Sequence, residues 1–296
     1  MAFLSLALLM RTAFLFVILC GCLCACGAVC PVKPGAFHEA TFRARIVAGP
    51  SLEAHPQLSD LVPMAAGRPD ISDVRFPYVT WTFREKEGGP AIPRPFEGSA
   101  PLTLYSSSWR TFIYRFYAPE NATGVEFEVF PGLEGSRAEM GDVSVRELPA
   151  PSNLVAHPGF DDPYAPLGWS LGGGTLYLTD VEGRPFVMAE GWAGGPAVTD
   201  LFPVKPGSRI VVSVKGSSAR YDVSRPQMRC TLAFAPSFAA AAEKSGLKAA
   251  GTVLGIKGKG VSASHPYAVP DGMHWARLEF RHGAVEYAEV RAEGCQ

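Results

Sequence analysis

The stretch Trp275-Ala276-Arg277-Leu278-Glu279-Phe280 has the residue types and the spacing for recognition chemistry. On a strand, where neighbours alternate sides, Ala276, Leu278 and Phe280 face one way and Trp275, Arg277 and Glu279 the other. A tryptophan on the wet side offers a flat face to the C–H side of a sugar ring. A guanidinium and a carboxylate beside it offer donors and acceptors for hydroxyls. Trp192, in the loop Gly191-Trp192-Ala193-Gly194-Gly195, could serve in the same way. Trp192, Trp275 and Arg277 are therefore the candidate ligand-binding residues. Surface packing is the competing reading for both tryptophans. Trp81, Trp109 and Trp169 read as core.

Catalytic chemistry is harder to assemble. Glu126, Glu128, Glu279, Glu286 and Glu289 lie on alternating strands and read as wetted faces. A glycosidase needs two carboxyls held about 5–9 Å apart across a cleft. There is no Gly-x-Ser-x-Gly elbow, His-Glu-x-x-His pair, Walker loop or dinucleotide fingerprint. The six histidines are scattered, without ligand spacing. With a formal net charge of -1 and no basic stretch, nucleic acid is not an expected partner.

Many short strands must position these residues. Gly and Pro are plentiful, at 31 and 26 of 296 residues, as tight turns between strands require. Phe42, Ala44 and Ile46 alternate with Arg43 and Arg45. Val79, Trp81 and Phe83 share a face, and Val125, Phe127 and Val129 alternate with Glu126 and Glu128. Pro149-Ala150-Pro151 is a stiff linker. Residues 238–250, rich in alanine, read as a short helix or a flexible insertion. Val32-Lys33-Pro34-Gly35 recurs as Val204-Lys205-Pro206-Gly207. Behind each copy, Val79, Trp81 and Phe83 line up with Cys230, Leu232 and Phe234. In the same way Val125, Phe127 and Val129 line up with Ala276, Leu278 and Phe280. One architectural unit is used twice, and the first copy lacks the opening of the second. It is missing edge strands or is completed by its neighbour.

Residues 12–29 are apolar or small after Thr12, which reads as an export signal. Leu23-Cys24-Ala25-Cys26 resembles a bacterial lipobox, which makes Cys26 the candidate lipidation site and implies membrane attachment through an N-terminal lipid. Cleavage near Ala28 and an uncleaved anchor are the alternatives. Cys30, Cys230 and Cys295 remain beyond the signal, which is no disulfide framework. Cys230 sits at a core position of its strand.

Asn153-Leu154-Val155-Ala156-His157-Pro158-Gly159-Phe160-Asp161, followed by Gly168-Trp169, resembles the opening of carbohydrate-binding modules of the family 4, 9 and 22 type. His157 stands where that group has Asn, and Asp161 where it has Glu. The resemblance implies a jelly-roll sandwich and a polysaccharide or glycan as partner. It also implies a structural calcium, with Asp161 as a ligand, although Tyr287 or Ala288 occupies the position of the second acid. The expected fold class is all-β: two tandem antiparallel β-sandwich (jelly-roll) domains after an N-terminal signal segment. The expected spans are 1–28 for the signal, 32–148 for a degenerate first copy and 152–294 for the module-like second. The expected function is non-catalytic glycan binding by an exported protein, secreted or in the cell envelope. A structural or protein-interaction sandwich is the alternative.

Overall fold

The computed structural model describes residues 22–24, 29–49, 77–93, 102–131, 135–160, 167–171, 175–179, 185–189, 196–218, 228–243, 246–258 and 260–293. The first half contributes β1 (Cys22–Cys24), β2 (Val29–Pro31), β3 (Phe37–Ala48), β4 (Tyr78–Arg84) and β5 (Leu102–Thr103). It continues with β6 (Arg110–Tyr117), β7 (Gly124–Phe130), β8 (Arg137–Met140) and β9 (Val143–Leu148). The second half contributes β10 (Trp169–Leu171), β11 (Thr175–Thr179), β12 (Pro185–Ala189), β13 (Ala197–Thr199) and β14 (Phe202–Pro203). After β15 (Arg209–Ser218) and β16 (Met228–Ala235) comes the short helix α1 (Phe238–Ala242), capped by the Ser237 side chain. The chain closes with β17 (Lys248–Ile256), β18 (Val261–Ala268), β19 (Trp275–Arg281) and β20 (Gly283–Ala292).

These strands build four antiparallel sheets, two per half. The first half has the order β1-β9-β3-β6, with β8 also on β3, facing β2-β7-β4-β5. The second has β10-β13-β19-β16-β17, with β14 also on β19, facing β11-β12-β20-β15-β18. No sheet mixes strands of the two halves. The fold is all-β, as expected, and its layers are sandwiches. Phe42 of β3 packs on Phe127 of β7 at 5.6 Å between ring centroids, and Phe234 of β16 on Tyr267 of β18 at 5.8 Å. The alternation explains this: Phe42, Ala44 and Ile46 are buried, and so are Ile210, Val212 and Val214 of β15.

The repeat is written into the hydrogen bonding. β4 pairs β7 with Trp81 opposite Phe127 and Phe83 opposite Val125. β16 pairs β19 with Leu232 opposite Leu278 and Phe234 opposite Ala276. Val32 N–H donates to the Thr123 carbonyl at 3.0 Å, and Val204 N–H to the His274 carbonyl at 2.8 Å. Both Pro-Gly turns need a left-handed residue, and Gly35 (φ 69°) and Gly207 (φ 70°) supply it.

The Asn153 opening has a structural task. Its side-chain oxygen accepts from Val155 N–H and Val290 N–H, each at 3.0 Å, and Leu154 N–H donates to the Val290 carbonyl at 2.7 Å. The segment is thereby laced beside β20. Trp169 is core as expected, against Phe160 and Phe280, and its indole N–H donates to the His157 carbonyl. Cys230 is fully buried, with its thiol pKa pushed up by burial; Cys30 is buried too. Inside the stretch expected to be a leader, Cys22–Cys24 pairs with Val143–Val145 as an edge strand. Cys26, Asp161 and Trp192 lie outside the described residues.

Candidate functional site

Trp275 and Arg277 do not form an open binding face. Their strand parity is as expected, opposite Ala276, Leu278 and Phe280, but that face is covered. Trp275 is 3% exposed and Arg277 4%. Phe238 of α1 stands edge-on to Trp275 at 5.2 Å, and the Trp275 indole N–H donates to Glu120 Oε2 at 2.9 Å. Glu120 lies in the turn between β6 and β7, so the first half supplies part of the cover. Its other oxygen accepts from Phe238 N–H, and Phe238 also meets Phe83 edge-on. Arg277 is bonded through Nε and Nη2 to Glu279 Oε1, at 3.0 and 2.7 Å. These two candidates hold the halves together.

His157 does the same from the other side. It is the residue that departs from the resembled pattern, and its ring stacks on Tyr114 of β6 at 5.5 Å between centroids. Nε2 accepts from Arg115 N–H at 2.9 Å, which fixes that nitrogen as unprotonated. β6 ends its sheet, so this amide would otherwise be an unpaired edge donor. The Tyr114 hydroxyl meets Asp200 Oδ2 at 2.5 Å. Gly168, with φ 71°, makes room: a Cβ there would lie 2.5 Å from the His157 ring. The first copy is completed by its neighbour. Burial drives the His157 pKa down to about 4, with the nearby Arg115 charge acting the same way.

The acids behave as wetted faces. Glu126 is paired with Arg84, Glu279 with Arg277, Glu286 with Lys215 and Glu289 with Arg291. Among the described residues no three His, Cys, Asp or Glu side chains group as a metal site. The calcium set implied by the resemblance does not fit at its second position, because Tyr287 and the fully buried Ala288 carry no carboxylate there.

The open face lies elsewhere, on the outside of the β1-β9-β3-β6 sheet. Thr41, Arg43 and Arg45 of β3 point away from the core, as do Thr111, Ile113 and Arg115 of β6 and Ser144 and Arg146 of β9. Register puts Thr41 between Ser144 and Ile113, and Glu39 between Arg146 and Arg115. Ile113 is 44% exposed. Glu39 is gripped on both oxygens, by Arg115 Nε at 3.0 Å and by Arg146 Nε and Nη2 at 3.0 and 2.6 Å. Burial works to raise the Glu39 pKa, but the bonds from Arg146 and Arg115 outweigh it and hold the carboxyl below its ordinary value. Trp109, expected in the core, is only half-buried at the rim of this face. Arg43 and Arg45 lie over its ring, their guanidinium carbons 5.2 and 4.8 Å from the centroid. Trp109 precedes the strand and shares the outward parity of Thr111, Ile113 and Arg115, so its placement was readable from alternation.

No protein-family model matches the sequence, and no curated protein matches it. The fold is similar to a tandem pair of CBM22 domains from Paenibacillus barcinonensis, at 12% identity over 88% of this chain and 80% of that one, with a TM-score of 0.35. It is also similar to the single CBM22 xylan-binding domain of the same protein, at 14% identity over 46% of this chain and 91% of that one, TM-score 0.32. A carbohydrate-binding module of a Cellvibrio mixtus lichenase, in complex with cellotriose, matches at 13% identity over 47% of this chain and 97% of that one, TM-score 0.29.

Proposed function

We propose that this is a non-catalytic carbohydrate-binding protein whose binding surface is the outer face of the β1-β9-β3-β6 sheet. The observation that carries the reading is the platform itself. Exposed Ile113 offers apolar surface for the C–H side of a sugar, with the Thr41 and Ser144 hydroxyls beside it in register. The Glu39 fork next to them holds its donors and acceptor in fixed places. Prearranged polar groups around a modest apolar patch bind hydroxylated ligands without the cost of ordering flexible side chains. The second half, in this reading, braces β6 and keeps the platform flat.

Affinity electrophoresis through gels carrying single polysaccharides tests it. Retention on at least one polysaccharide is expected, and Ile113→Asp, at an exposed site, is expected to weaken it roughly tenfold. No retention on any polysaccharide overturns the reading. Retention that survives Ile113→Asp but is lost in Trp192→Ala also overturns it, because that places the ligand on the second half. Export and lipidation belong to the same proposal. A mature chain beginning at lipid-bearing Cys26 keeps β2 and gives up the β1–β9 pairing. The intact mass of the membrane-extracted protein checks this, and an unprocessed N-terminus contradicts it.

A further inference from the structure

We infer that the ligand of this face is an acidic polysaccharide, one whose sugars carry carboxylates. The inference rests on the reading above and narrows it. Four guanidiniums, those of Arg43, Arg45, Arg115 and Arg146, share the platform with two carboxylates, Glu39 and Glu139. Two positive charges are left over, on a chain whose formal net charge is -1.

Their placement is specific. Arg45 spends Nε and Nη2 on Glu139 Oε2, at 3.0 and 2.8 Å. Arg43, two residues along β3 on the same side, has no carboxylate partner among the described residues and is exposed. It is nonetheless held, because its guanidinium lies over the Trp109 ring together with that of Arg45. A guanidinium stacked on an aromatic plane keeps its edge N–H groups free and already oriented, and that edge matches a carboxylate in two parallel hydrogen bonds. The same stack occupies ring surface of Trp109 that a neutral sugar would need, so the rim of the platform favours an anion over an uncharged ring. The second excess charge sits at the Glu39 fork, four residues back along β3, or roughly 13 Å at strand rise. A single sugar does not reach across that distance, whereas an oligosaccharide laid along β3 does.

Four probes are compared by titration with the purified full chain: polygalacturonate, the same polymer fully methyl-esterified, neutral xylan and dextran sulfate. Polygalacturonate is expected to bind at least tenfold more tightly than its ester, with affinity falling as salt rises. Arg43→Gln is expected to weaken polygalacturonate about tenfold while leaving the ester unchanged. Trp109→Ala should weaken it further, by releasing both arginines, and Trp109→Phe should restore part of the loss. Circular dichroism confirms that each variant is folded. Equal affinity for polymer and ester, or binding to xylan alone, overturns the acidic class and leaves the platform standing. Dextran sulfate binding as tightly as polygalacturonate with no loss in Arg43→Gln overturns it too, as diffuse charge attraction. Binding to none of the four, nor to any polysaccharide in the gels, removes the platform reading itself.

Discussion

Trp275→Ala is expected to lower the unfolding free energy by about 4 kcal/mol while leaving the polysaccharide affinity of the folded protein unchanged. Trp275 is 3% exposed, stands edge-on to Phe238, and donates its indole N–H to Glu120 of the other half. Truncation empties a large volume between a sheet, a helix and a turn that come from distant parts of the chain, and such a site cannot close by itself. Trp275→Phe keeps most of the ring and drops only the N–H donor, so about 1 kcal/mol is expected. Urea denaturation measures both. A small stability change in Trp275→Ala together with lost binding would reverse the assignment made here.

Acid is expected to weaken the same junction. In the folded protein the His157 pKa is held at about 4 by burial, against an ordinary 6.5. Because the folded value is the lower one, the unfolded chain takes up the proton first. Stability from this group is complete above pH 6.5 and declines as the pH falls from there to about 4. At about 1.4 kcal/mol per unit, the total is about 3 kcal/mol. Protonation at Nε2 replaces an acceptor by a donor facing Arg115 N–H, so the lost contact is the one that closes the β6 edge. Glu39 adds in the same direction. Its pKa is lowered in the fold, so its contribution is present above the ordinary carboxylate range and disappears as the pH drops through it. Denaturation midpoints between pH 7 and pH 4 should therefore fall steeply in the wild type and more shallowly in His157→Gln. Parallel pH profiles for the two proteins would refute the role given to His157.

The architecture was largely legible because it rests on local rules. Alternation gave the strands, and the spacing of Val79, Trp81 and Phe83 against Cys230, Leu232 and Phe234 anticipated the pairing of β4 with β7 and of β16 with β19. The site was less legible. Parity correctly turned Trp275 away from the core of its own sandwich, but parity is silent on what lies above a sheet. The cover comes from Glu120, 155 positions away, and from Phe238 on a helix whose docking no period encodes. Trp109 was missed for a different reason. It aligned with strand-interior positions, whereas its own alternation with Thr111, Ile113 and Arg115 marks it as outward. His157 carried a signal too: it departs from the resembled opening, at the point where the second half must reach across to the first.

The platform and the buried junction are distinguished most directly by hydroxyl-radical footprinting read by mass spectrometry, on the protein alone and with saturating polysaccharide. Trp109 and Ile113 should be oxidised in the free protein and protected by the ligand, with Trp275 unreactive in both states. Oxidation of Trp275 in the free protein and its protection by the ligand, with Trp109 and Ile113 unchanged, would contradict the account.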